Sequence, residues 1–107
     1  MTEARYISQA ERARGLIDKA AAAWQRVQAF AMEHDEWVDS VVLRGQELWL
    51  PHHETDARKF RVTLVVDLHY PERPGDGPRA TITRFLQQLE REFSDADGTL
   101  VVRTEAS

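Results

Sequence analysis

The chain has 107 residues, no cysteine, 14 basic and 18 acidic side chains, and a formal net charge of −4. That length suits one domain with one core, and the missing thiols exclude disulfides, thiolate metal sites and a cysteine nucleophile. Residues 1–36 carry five basic and six acidic groups, 37–71 four and five, and 72–107 five and seven, so no segment supplies the basic footprint of a nucleic-acid binder.

The first element is a long helix. Ser8 followed by Glu11 forms a capping box, and Ala10, Ala13, Ile17, Ala20, Trp24, Val27 and Ala31 then recur in steps of three and four, the spacing of a helix seam. Leu16, Ala23 and Phe30 widen one flank of this stripe. Gly15 interrupts it at a cost of about 1 kcal/mol relative to alanine. The acidic run Glu33-His34-Asp35-Glu36 opposes the helix macrodipole, which places the exit near Met32.

A hairpin over Trp37–Arg44 and Gln46–Pro51, turning at Gly45, comes next, followed by a polar loop at His52–Lys59. Phe60–Tyr70 is the clearest strand: Val62, Leu64, Val66, Leu68 and Tyr70 alternate with Arg61, Thr63, Val65, Asp67 and His69. Pro71–Pro78 reads as a loop rich in proline and glycine. Asp76 or Gly77 caps a second helix with Pro78 at its first position. Ile82, Phe85, Leu86, Leu89 and Phe93 line one face of that helix. Asp97-Gly98 turns the chain into a last strand, Thr99–Thr104. Short flexible ends are expected at about 1–6 and 104–107.

These elements give a single α+β domain spanning 1–107: a two-layer sandwich of order α-β-β-β-α-β, with a mainly antiparallel four-stranded sheet, two helices, and the last strand parallel to its partner after a helical crossover. That order is similar to the one found in small secretion chaperones and in some phage tail-assembly proteins. The resemblance spans most of the chain on topology alone, without signature residues, and implies a small acidic protein that pairs with other chains. No apolar run approaches the ~20 residues of a spanning helix, and no apolar stretch follows the charged segment Met1–Tyr6, so membrane insertion and a secretory leader are not expected and a cytoplasmic location is.

The strand pattern carries one feature beyond a single core. If Leu48, Leu50, Val62, Leu64, Val66, Leu100 and Val102 face the helices, then Trp49, Val65 and Val101, joined by Val41 or Val42, point the other way. Apolar groups on a second sheet face call for cover. Trp49, Val65 and Val101, together with Ile17, Trp24 and Val27 on the first helix, are therefore the expected interface residues.

Catalytic signals are sparse. His52-His53-Glu54-Thr55-Asp56 is the densest group of metal-ligand types, with His34 or His69 as a distant contributor, but adjacent residues of an extended chain point apart and no HExxH helix is present. Asp67 and His69 share one strand face, a spacing that lets a carboxylate orient an imidazole. Trp37, beside the acidic run, has the chemistry of an interface anchor. Arg79, Arg84 and Arg91 alternate with Glu90 and Glu92, so they form no phosphate-binding stripe, and Gly75-Asp76-Gly77-Pro78 lacks both phosphate-loop spacings. The expectation is a non-catalytic interaction or assembly module, homo-oligomeric and without a cofactor, whose partners are itself or, as the alternative, another protein. The competing class is a small metal-assisted or acid/base enzyme using the His52/His53 loop and Asp67/His69.

Overall fold

The computed structural model describes residues 2–50, 60–71, 77–96 and 98–104, with side chains from Ala10 onward. The order is α1 (Thr2–Glu33), β1 (Ser40–Trp49), β2 (Arg61–His69), α2 (Gly77–Phe93) and β3 (Thr99–Thr104). The three strands form one mixed sheet of order β1-β2-β3, antiparallel between β1 and β2 and parallel between β2 and β3. The α+β class holds. Four strands, a mainly antiparallel sheet and the order α-β-β-β-α-β do not, and the likeness to secretion chaperones and tail-assembly proteins loses the topology on which it rested.

Gly45 accounts for the difference. The expected hairpin is one continuous ten-residue strand, and Gly45 belongs to a bulge. Leu43 pairs with Val66 and Gly45 with Val65, which leaves Arg44 as the extra residue. Arg44-Gly45-Gln46 lacks the Asn-Gly or Asp-Gly chemistry of a two-residue turn. A single long β1 also pairs with β2 along its whole length, where a hairpin at Gly45 would leave half of β2 without that neighbour. The bulge shifts the side-chain alternation by one, so Val41 and Leu43 before it and Leu48 after it all pack against the core.

α1 begins at Thr2, ahead of the expected cap at Ser8, because Glu3, Ala4 and Arg5 are strong helix formers. It runs through Gly15 and ends at Glu33, close to the expected exit. Its buried stripe is Leu16, Ala20, Ala23, Val27 and Phe30. The helix is therefore rotated towards what the sequence presented as a flank, and Ile17 is left 47% exposed.

Both helices lie on one face of the sheet. Their buried residues, with Ile82, Leu86 and Leu89 from α2, form one cluster with Val62, Leu64, Val66 and Leu68 of β2 and Leu100 and Val102 of β3. Phe30 stacks on Phe85 at 4.2 Å between ring centroids, tying α1 to α2. Each fully buried aliphatic side chain contributes roughly 1.5–3 kcal/mol of transfer free energy. Phe60 precedes β2 fully buried, and its carbonyl accepts a hydrogen bond from the Thr99 N–H at 2.9 Å, which sets the start of the parallel pair.

Candidate functional site

The strand register determines what the uncovered sheet face presents. Trp49 pairs with Arg61 and Arg61 with Thr99; Glu47 pairs with Thr63 and Thr63 with Val101; Gly45 pairs with Val65 and Val65 with Arg103. Val42 pairs with Asp67 and Ser40 with His69. Paired residues share a face, so Trp49, Val65 and Val101 do lie together on the side away from the helices. They are not one patch, however. Val42, Val65 and Val101 run diagonally across the three strands, whereas Trp49 lies two pairs from Gly45 and Val65, about 13 Å along the strand. Charged groups (Glu47, Arg61, Arg103 and Asp67) separate them.

The two edges of the sheet differ more than its two faces. On β3, the Ser94 hydroxyl accepts from the Leu100 N–H at 3.0 Å and donates to the Leu100 carbonyl at 3.4 Å. The Val102 N–H donates to a Glu90 carboxylate oxygen at 2.9 Å. Side chains at the end of α2 thus occupy backbone groups that a neighbouring strand would otherwise take. Among the described residues, the outer edge of β1 has no strand beside it. β1 and the residue after it also carry three exposed large apolar side chains, Val42, Trp49 and Leu50, the other two of this kind among the described residues being Ile17 and Met32.

Between edge and face lies a polar cluster. The bulge directs Arg44 onto the open face, where its Nε and Nη2 donate to Asp67 Oδ2 at 3.3 and 3.0 Å. His69 Nε2 meets the same oxygen at 3.1 Å. Asp67 is only 3% exposed, and its Oδ1 has no partner among the described residues. The carboxylate therefore orients the imbalanced pair of a cation and an imidazole, both partly open to solvent. His69 also lines a groove of about 630 Å³ at the ends of β2 and β3, with Asp39, Tyr70, Arg79 and Glu90. The groove mixes both charge signs, and no cluster of three or more metal-ligand side chains occurs among the described residues. His52 and His53 lie outside the described residues.

The other expected residues are dispersed. Val27 is fully buried in the core of its own chain and offers nothing to a partner. Trp24 is half-buried against that core, and Ile17 stands exposed on the helix flank. Trp37 joins an aromatic cluster with Phe30, His34 and Tyr70, at 6.1, 5.1 and 6.1 Å between centroids, and is partly buried against the core. Sequence reasoning missed Arg44 and Glu47, because a glycine read as a turn conceals the single strand on which they sit three residues apart.

No helix among the described residues is long and apolar enough to cross a membrane. No protein-family model matches the chain, and neither a curated protein nor a solved structure is found to resemble it.

Proposed function

We propose that this chain is a non-catalytic protein–protein interaction and assembly module, a homo-oligomeric accessory subunit that docks through the outer edge of β1. The contrast between the two sheet edges carries this reading. Exposed strand edges invite pairing and are normally blunted; β3 is closed by Ser94 and Glu90, while β1 presents ten residues with Val42 and Trp49 in the open. Strand addition along such an edge derives affinity from main-chain hydrogen bonds and specificity from the alternate side chains.

The test is absolute mass by light scattering over a dilution series, for the natural chain and for a Val42→Lys/Trp49→Lys double variant. Both side chains are exposed on the open face, so the urea midpoint should hold while association falls. Association that survives both substitutions would remove β1 as the docking edge.

A second reading, acid–base chemistry at Asp67 and His69, is supported by the buried carboxylate that holds the half-exposed imidazole beside the groove. It predicts an activity abolished by His69→Ala and retained by the double variant on β1.

A further inference from the structure

We infer that the occupant of the β1 edge is a second copy of this chain, paired antiparallel about a two-fold axis through Gln46. This rests on the reading of β1 as the docking edge and adds the partner and the register.

Two strands related by a two-fold axis normal to the sheet must place some residue opposite its own copy, because opposed residues share a face. With Gln46 at that point, the bulge of one chain (Arg44 and Gly45) stands against the partner's Glu47, since a bulge sets two residues against one. Moving outwards, Leu43 meets the partner's Leu48, Val42 meets the partner's Trp49, and Val41 meets the partner's Leu50.

The faces agree from Val42 to Trp49. Leu43 and Leu48 both pack towards the helices, while Val42, Glu47 and Trp49 all belong to the open face through their pairing with Asp67, Thr63 and Arg61. Arg44 also reaches the open face, where it meets Asp67. Opposite charges therefore face each other twice and apolar side chains meet apolar ones, with two exposed Gln46 amides at the centre. Gly45 leaves room for the partner's Glu47, as nothing lies within 4 Å of where its Cβ would be. Other centres lose this match. An axis at Glu47 sets two carboxylates together, and one at the bulge sets two guanidinium groups together, each a destabilising like-charge pair.

The assembly also closes. Joining two β1 edges gives a six-stranded sheet whose outer edges are both β3, and these are the edges held by Ser94 and Glu90. The result is a dimer with no open edge left to extend into a fibre.

The cysteine-free chain makes the register directly measurable. Directly opposed residues stand about 4.5–5.5 Å apart at Cα, within disulfide range, so a Gln46→Cys variant should cross-link to a covalent dimer under mild oxidation. A Ser40→Cys variant should not, because with the bulge counted as one step its two copies would lie about 33 Å apart along the strands. Glu47→Lys should weaken the dimer roughly tenfold in Kd by reversing both charge pairs. A natural chain that dimerises while Gln46→Cys stays unlinked overturns the register, and the Val42→Lys/Trp49→Lys variant then still reports whether β1 is the docking edge. A natural chain that is monomeric throughout the dilution series overturns the second-copy inference. In that case amide exchange on β1 separates the two ideas: rapid exchange along its outer edge leaves the interaction reading standing with a different partner, whereas slow exchange shows an edge already covered and removes both.

Discussion

Arg44, the extra residue of the β1 bulge, donates two hydrogen bonds to one carboxylate oxygen of Asp67, a residue 3% exposed and 23 positions away in sequence. The contact links an irregularity in an edge strand to the one buried acidic group among the described residues. It also sets the direction of Arg44, which would otherwise be a solvated side chain at a strand edge.

Removing that guanidinium should therefore cost stability although Arg44 itself is half exposed. Arg44→Ala leaves Asp67 with His69 as its remaining hydrogen-bond partner, and a loss of about 1–3 kcal/mol is expected from the under-satisfied buried carboxylate. Urea denaturation of Arg44→Ala beside Arg44→Ala/Asp67→Asn checks it. The second substitution should recover part of the loss, because the uncompensated charge is gone; equal midpoints for the two variants would contradict this account.

The glycines of β1 and of the turn before β3 should respond in opposite ways to the same substitution. A Cβ at Gly98 would lie 2.5 Å from Leu16 Cδ2 and 3.2 Å from the Phe60 carbonyl oxygen, in a fully packed corner. Gly98→Ala is expected to cost roughly 1–3 kcal/mol through overpacking. At Gly45 a Cβ meets nothing within its own chain, so in the dissociated chain Gly45→Ala should be neutral or stabilise by up to about 1 kcal/mol through the unfolded state. Thermal unfolding of the two variants side by side gives the comparison.

The closure of β3 is open to the same treatment. Ser94→Ala and Glu90→Ala each remove a partner from the β3 backbone, and each should cost about 0.5–1.5 kcal/mol. Together they free the Leu100 and Val102 amides, so hydrogen exchange at these two positions should accelerate and higher oligomers should appear as protein concentration rises. Unchanged exchange at Val102 would show that Glu90 does not guard this edge.

Core and surface apolar residues should separate sharply. Leu64→Ala, at a fully buried position of the central strand, is expected to cost about 2–5 kcal/mol. Ile17→Ala, on the exposed flank of α1, should change stability by no more than about 0.5 kcal/mol. A large loss at Ile17 would mean that the flank is covered in solution.

The sequence by itself determined the two helices, the long central strand and the last strand, because those features are local. The alternation from Val62 to Leu68 and the stripe Ile82, Leu86, Leu89 each report a periodicity within one element. It also placed Trp49, Val65 and Val101 on one side of the sheet, since period-two alternation decides a face without knowledge of neighbours. The rest depends on which strand lies beside which. Gly45 has the same identity in a turn and in a bulge, and only the length of β2 beside it makes the bulge the better-paired choice. From that one decision follow the strand count, the shift in alternation that sets Val41, Leu43 and Leu48 on one face of a single strand, and the meeting of Arg44 with Asp67. The rotation of α1 was hidden for a related reason. Two apolar stripes one residue apart look alike in the chain, and only contact with the sheet buried Leu16 and Val27 while leaving Ile17 outside.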